Sequence, residues 1–479
     1  VSDGDHQRHL RRGFNWLGGA TVLAKVIDFS TILAVLTFLS KEQVGVASLV
    51  ISTGMVIEAF DGLGTGDALV QAPAVAKRQL DSLFWFILGA AFLMGAVTLA
   101  AAPGLEALYG VTGMAAYFVA VAAKQPMVAA AVIPLALLNR DLKYERIAVV
   151  NVAATLGAAL TRLGLAVAGA GAWALVAGYV SSGLYTLIGA TLARPFRPGA
   201  HFRRDDIRGL VRFGFRAAAV NLFEQIFKNI DFLLVGWFYG PAPLALYRVA
   251  FDIAMEPVMA VGTLINRTAL PVFARLAGDR AGLTRSLTWS LRRLALLTAP
   301  LMVGLILAAD PLTTLIHDDH GLSYTAAALP LKLLAAAALL RVTSQLLTPL
   351  MMASGRPGLA AQLSAATLTL LSAGIVAVGA LLPAEGGIIA VAAVWLAIYP
   401  PLLAWGARYL ERTWAIGAAS VARAFLLPAA GVAVMAAVVW TLRLLPGGER
   451  PAVSVAIVAV AMAAAYGGLF RYDREKPVS

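Results

Sequence analysis

Cysteine is absent from the chain, which rules out a disulfide framework and thiolate-bound metal and leaves redox compartment unread. Charge is scarce as well. Only 13% of the 479 residues are charged while 60% are hydrophobic, against about a quarter charged in soluble globular proteins. Mean hydropathy is +0.80, so the chain reads as a polytopic membrane protein. Acid is the scarcer sign, 26 Asp and Glu against 38 Lys and Arg, giving a net charge of +12. In a soluble chain that excess would suggest nucleic acid. Here the bases gather in short connections between apolar runs, so they report topology and no nucleic-acid partner is expected.

Long loops are missing too. The longest outer connection runs from Asp310 to Tyr324 and the longest inner one from Arg194 to Gly209, and neither has room for a soluble catalytic domain. No GxGxxG follows a strand, no phosphate loop ends in Lys, and there is no His-Glu-x-x-His or Gly-x-Ser-x-Gly. No cofactor is expected. Gly62-Leu63-Gly64-Thr65-Gly66 resembles a nucleotide loop only superficially and reads as a flexible helix end. The run His317-Asp318-Asp319-His320 offers metal-ligand chemistry, yet reads as a solvated outer turn, with no metal expected.

What is present is a series of apolar runs. At about 20 residues per crossing, spans fall at roughly 13–39, 44–72, 82–102, 114–138, 147–169, 172–192, 210–239, 244–273, 287–309, 325–352, 359–382, 387–406, 419–444 and 451–470. That is an all-α plan of about fourteen helices, and the break between the fifth and sixth rests on Gly169-Ala170-Gly171 alone. Alternate connections are basic: Arg8, Arg11 and Arg12; Lys77 and Arg78; Arg140, Lys143 and Arg146; Arg194 to Arg208; Arg275, Arg280 and Arg285; Arg356; Arg408 and Arg412; Arg471, Arg474 and Lys476. By the positive-inside rule these and both termini are cytoplasmic. The first span is too long and too charged for the core of a signal peptide, so no cleaved leader is expected.

Within the spans sit charges that lipid cannot accommodate, at roughly 2.5–3.5 kcal/mol each at mid-bilayer. Near span centres are Lys25, Asp28, Glu58, Lys124, Arg162, Glu224, Lys228, Glu256 and Arg341, with Asp61, Asp231, Arg248 and Asp252 nearer the ends. Glu224, Lys228 and Asp231 fall at i, i+4, i+7, and Arg248, Asp252 and Glu256 at i, i+4, i+8, so each set lies on one helical stripe. Buried ion pairs contribute little to stability, so this many charges point to a hydrated cavity. There Lys and Arg would hold an anionic head group, and the carboxylates would orient them or relay a coupling cation.

Phe14–Gly64 repeats the plan of Phe213–Pro257, two long helices with buried charge around a short turn, at an offset of about 200 residues. The duplication divides the chain into lobes at 1–200 and 201–410, with 411–479 as two further helices and a tail. The Arg- and Pro-rich stretch 194–209 is then the linker.

Several motifs carry a resemblance: the opening Arg-Arg-Gly-Phe-Asn-Trp, then Phe60-Asp61-Gly62-Leu63-Gly64, and Asn139-Arg140-Asp141-Leu142-Lys143-Tyr144. Asn229-Ile230-Asp231 with Leu246-Tyr247, Pro271 to Leu276, and Ala353-Ser354-Gly355-Arg356-Pro357 add to it. In this order they resemble the polysaccharide flippases for O-antigen and exopolysaccharide units, of the multidrug/oligosaccharidyl-lipid/polysaccharide exporter superfamily. The resemblance implies two six-helix lobes around a central cavity, two extra helices, and alternating access that moves a polyprenyl-pyrophosphate-linked oligosaccharide across the membrane. It implies no enzyme activity, a monomer, and a glycan polymerase or assembly proteins as partners. Lys25, Arg248, Arg341, Lys228 and Lys124 are then the pyrophosphate candidates, with Asp28, Glu58, Asp61, Glu224, Asp231, Asp252 and Glu256 as acidic partners or a coupling-ion relay. In the similar lipid II flippases the second helix is basic, whereas here it supplies Glu58 and Asp61. The alternatives are a cation-coupled drug antiporter of the same superfamily and a membrane glycan polymerase or ligase.

Overall fold

In the computed structural model the chain is described over residues 3–72, 74–276 and 278–475, with the side chains of 3–15, 17, 61, 216–217, 260, 263–268, 385 and 470–475 set aside. The described residues are built of helices. They are α1 (Asp3–Leu36), α2 (Lys41–Glu58), α3 (Thr65–Gln71), α4 (Lys77–Tyr109), α5 (Met114–Arg140), α6 (Tyr144–Val167), α7 (Ala172–Ala193) and α8 (Arg204–Tyr239). There follow α9 (Pro241–Arg275), α10 (Arg280–Leu315), α11 (Ala328–Gln345), α12 (Leu347–Ala353), α13 (Pro357–Leu381), α14 (Ala384–Trp414), α15 (Ala418–Arg443) and α16 (Pro451–Glu475). Among the described residues twelve segments are long and apolar enough to cross a membrane. With the long, charge-bearing α8 and α9, the series follows the succession of apolar runs in the sequence.

Local signals explain the boundaries. Ser40 and Gln43 form a reciprocal capping box that starts α2, satisfying two backbone donors that the first turn leaves open. The uncertain break between the fifth and sixth spans is real: α6 ends at Val167, and Gly169 and Gly171 take φ of 76° and 59° before α7 begins at Ala172. Those backbone angles suit glycine.

One expectation needs correcting at Gly62-Leu63-Gly64. The stretch is not a flexible helix end but a tight turn inside the second span. Gly62, Leu63 and Gly64 have φ of 65°, 46° and 65°, and the helix resumes as α3. A left-handed Leu is strained, and its surroundings hold it. Thr65 donates its hydroxyl to the Gly62 carbonyl, and Arg140 from α5 donates to the carbonyls of Leu69 and Ala72 at the end of α3. Breaks of this kind occur in spans where other groups satisfy the freed backbone.

The chain forms two compact units, 1–242 with 318–321, and 243–317 with 322–479. Helix α8 belongs to the first because the stretch before it is strapped to α4. Trp85 donates to the Gly199 carbonyl at 2.9 Å, the Gly199 amide to Asp81 at 3.0 Å, and the Arg203 amide to the Ser82 hydroxyl at 3.1 Å. His201 and Asp206 meet at 2.8 Å beside them. Residues 194–209 are therefore a built connection. The apolar core there joins Leu69 of α3, Leu83 and Ile87 of α4, Ile133 of α5 and Ile207 of α8.

The turn at His317 is exposed at His317, Asp319 and His320, in line with its reading as solvated, and buries one residue. Asp318, only 6% exposed, belongs to the first unit, where it accepts from Lys41 at 3.0 Å and from the His320 amide at 3.1 Å. Among the described residues no three His, Cys, Asp or Glu side chains gather as metal ligands. In the second unit, α15 and α16 pack on α10 through Met435, Val439, Val458, Ala461 and Ala308.

The first unit contains one very tight approach. A Cβ at Gly45 in α2 would run into the backbone of Pro241. Gly45→Ala is expected to destabilise the protein by about 1–3 kcal/mol, the usual cost of overpacking. Thermal melting of the detergent-purified variant, read by loss of the monodisperse peak, checks it.

Candidate functional site

In the first unit the mid-span charges come together as two ion pairs, each tying helices that are distant in sequence. Lys124 of α5 lies 2.5 Å from Oε1 of Glu58 in α2. The same oxygen accepts the hydroxyl of Tyr179, from α7, at 2.5 Å. The ammonium of Lys124 also stands 3.3 Å from the centre of the Tyr179 ring, within the range of a cation–π contact. Lys124 is thus held by a carboxylate and an aromatic face at once, and its side chain is 6% exposed against 20% for Glu58.

Two glycines make room for this group. A Cβ at Gly54 would fall 2.9 Å from the Tyr179 hydroxyl, and one at Gly183 would fall 3.0 Å from Cγ of Lys124. Each glycine inside a helix costs about 0.5–1 kcal/mol relative to alanine, so the helices carry a penalty that seats these two side chains. The second pair is Arg162 of α6 with Asp28 of α1, at 2.6 Å. Here Gly178 of α7 leaves space for the arginine, since its Cβ would lie 2.8 Å from Cβ of Arg162.

In the second unit the arrangement is similar but the chemistry is more aromatic. The Arg341 guanidinium of α11 stands 5.4 Å from the ring centre of Trp395 in α14, and its Nη1 is 3.5 Å from the Tyr399 hydroxyl. Trp395 donates its indole N–H to the Tyr247 hydroxyl of α9 at 2.9 Å, with the Phe251 ring 5.8 Å away. Directly after Tyr247 on α9, Arg248 donates to Asp252, one turn further on, at 2.8 Å. Arg341 follows Lys124 by 217 residues and Trp395 follows Tyr179 by 216. A cation from the fourth span of each half therefore lies over a ring from the sixth.

The remaining candidates are placed differently. Glu224 and Lys228 pair at 2.6 Å along α8 with 58% and 46% of their side chains exposed, whereas Asp231, one turn on, is fully buried. The stripe on α8 is thus not one environment. Lys25 is exposed on α1 and Glu256 half-buried on α9; the side chain of Asp61 lies outside the described residues. Tyr179, Trp395 and Tyr399 escaped the sequence reading, and Tyr247 entered it only as a motif residue. A tyrosine or tryptophan in an apolar span looks like any other large side chain until a cation is found against it.

Comparison with known proteins fits this geometry. Residues 33–323 match the family model described as "Polysaccharide biosynthesis protein". The chain is 25% identical over 309 residues to the teichuronic acid biosynthesis protein TuaB of Bacillus subtilis, covering 62% of this chain and 62% of that protein. It is 24% identical over 355 residues to the lipopolysaccharide biosynthesis protein WzxC of Escherichia coli, covering 72% and 70%. With the succinoglycan biosynthesis transport protein ExoT of Rhizobium meliloti the figures are 25% over 298 residues, 61% and 60%. The matched region thus spans about 62% of the length of TuaB. In fold, the chain is similar to the lipid II flippase MurJ in an inward closed conformation, with a TM-score of 0.72 at 14% identity over 96% of this chain and 99% of that one. An inward-facing MATE multidrug transporter of the MOP superfamily gives a TM-score of 0.64 at 15% identity, over 82% and 95%. With a family model covering more than half its length and helices arranged as in MurJ, the chain is a multi-pass membrane protein that belongs to the polysaccharide biosynthesis protein family.

Proposed function

We propose that the protein is a flippase for polyprenyl-pyrophosphate-linked oligosaccharide repeat units, moving them across the bacterial inner membrane for lipopolysaccharide or exopolysaccharide synthesis by alternating access. The observation that carries this reading is the set of bases within the spans held by exchangeable partners: Lys124 by Glu58, Arg248 by Asp252, and Arg341 against Trp395 and Tyr399. An anion entering a low-dielectric passage needs fixed cations to offset its lost hydration, and a base already seated beside a carboxylate is held in place for it. Family membership and the names of TuaB, WzxC and ExoT, which speak of teichuronic acid, lipopolysaccharide and succinoglycan biosynthesis and, for ExoT, of transport, point the same way.

On this reading the protein works as a transporter, not an enzyme, with both termini cytoplasmic and lobes at 1–200 and 201–410. Lys25, Lys228, Lys124, Arg248 and Arg341 are the pyrophosphate candidates. A glycan polymerase and assembly proteins would act beside it. Only a difference in contacts between inward-open and outward-open states lets a ligand shift them, and exchange of carboxylate for pyrophosphate supplies one.

Arg248→Ala is expected to abolish surface polysaccharide at matched protein level, and Arg248→Lys, which keeps charge but loses the bidentate fork, to be intermediate. Quantifying surface glycan in cells carrying each variant decides it. Wild-type glycan from Arg248→Ala, Lys25→Ala and Arg341→Ala alike would refute the mechanism, and would leave a drug antiporter as the reading to pursue.

A further inference from the structure

The connection 194–209 is ordered, yet its arginines are put to no use inside the protein. Among the described residues Arg197, Arg203, Arg204 and Arg208 are exposed and take part in no ion pair. The bases beside them are engaged: Lys77 by Asp81, Lys143 and Arg194 by Asp141, and Arg146 by the Ala193 carbonyl. We infer that this connection is a docking surface for the anionic head groups of membrane phospholipid. On the orientation proposed above, the lipid is that of the cytoplasmic leaflet. The inference goes beyond the flippase reading and holds whatever the cargo.

The depth of the connection selects lipid over a soluble polyanion. Trp85 is eight residues past Lys77, the start of α4, and so about 12 Å along the helix; it is the fourth residue of the apolar run 82–102. Its indole donates to the Gly199 carbonyl, while Asp81 and Ser82 accept from the amides of Gly199 and Arg203. The connection therefore lies against the first apolar turns of α4, at the boundary between head groups and hydrocarbon. Trp85 is 43% exposed there and Phe202 51%, and that boundary suits the amphipathic ring of tryptophan. Arginines beside exposed aromatic rings form the kind of surface that enters a lipid interface.

Orienting the chain in the membrane does not by itself require such a surface. The positive-inside rule asks only for basic residues near a span, and a loose loop would satisfy it. Here hydrogen bonds to α4 fix the loop, and nearby acids are turned away from its face. Asp206 meets His201 at 2.8 Å and Asp81 is 4% exposed, which leaves Asp205 as the exposed acid of the connection. Each arginine held against an anionic bilayer strengthens attachment about fivefold.

The full chain purified in detergent is titrated with fluorescently labelled phosphatidylglycerol or phosphatidylcholine in mixed micelles. Wild type is expected to bind phosphatidylglycerol at least about tenfold more tightly, with affinity falling as salt rises. Arg203→Gln with Arg204→Gln changes exposed positions and leaves Arg194, Arg197 and Arg208 to orient the chain. It should bind phosphatidylglycerol at least about tenfold more weakly, whereas Arg203→Lys with Arg204→Lys, which keeps the charge, should retain most of the affinity. Trp85→Phe removes no charge but takes away the donor to Gly199, and should weaken binding severalfold. No preference for phosphatidylglycerol in the wild type, or full affinity in the double glutamine variant, would overturn the inference. Full affinity in Trp85→Phe would overturn the part played by the ordered loop. Free glycerol phosphate competing as well as the lipid would mean a site for a soluble anion in place of a membrane surface. None of these results touches the cargo, so the flippase reading stands or falls by surface glycan alone.

Discussion

Lys124→Ala is expected to lower stability by about 3–5 kcal/mol and to abolish export, whereas the double variant Glu58→Gln with Lys124→Gln should abolish export from a protein that still folds. The single substitution leaves Glu58 charged beside Tyr179 without its cation, in helices that pack across the first unit. The double substitution removes both charges and keeps side chains that hydrogen-bond, so the penalty for an unpaired buried ion disappears. On the proposed reading, export is expected to follow the charge and not the fold. Thermal melting in detergent, run beside surface glycan measured at matched protein level, separates the two effects. A double variant that exports at the wild-type rate would mean that the pair only braces the helices.

The second large effect is expected at Trp395. Its side chain is 2% exposed and carries Arg341 on its ring while donating to Tyr247. Trp395→Ala empties the space between α9, α11 and α14 and should cost about 3–5 kcal/mol, the range for truncating a large aromatic in a core. Trp395→Phe is more telling. Phenylalanine keeps most of the volume and a ring for Arg341, but the Tyr247 hydroxyl, fully buried, loses its donor at a cost of about 1–3 kcal/mol. Melting temperature should therefore fall by less for Phe than for Ala, and export by Trp395→Phe should survive if Arg341 needs only the ring. A melting temperature for Trp395→Ala equal to wild type would contradict the packing described for α14.

Both effects arise in groups of which the sequence displayed one half. Lys124, Glu58 and Arg341 are conspicuous as charges in apolar runs, because lipid penalises a charge at that depth. Tyr179 and Trp395 are not conspicuous, since an aromatic side chain is at home in a membrane span whether or not a cation rests on it. The pairing of Glu58 with Lys124 was equally hidden. The sequence put Glu224 with Lys228 and Arg248 with Asp252 on single helical stripes, four residues apart, and the structure pairs them there. For Glu58 and Asp28 it has partners on other helices.

Composition, the length of the apolar runs and the alternation of basic connections determined by themselves that this is an all-helical membrane chain and roughly where each helix lies. Hydropathy and helix geometry are local, and every residue of a span contributes to them. Breaks such as Gly169-Ala170-Gly171 were legible for the same reason, because backbone freedom belongs to the residue itself. Tertiary structure alone decided that Gly62-Leu63-Gly64 interrupts a span without ending it, that α8 packs with the first unit, and that Lys124 meets Glu58 and Tyr179. Those outcomes depend on which helix faces are pressed together. Such packing is fixed by shape and by small residues at single positions, Gly54, Gly178 and Gly183 among them, and no periodicity in the chain announces it.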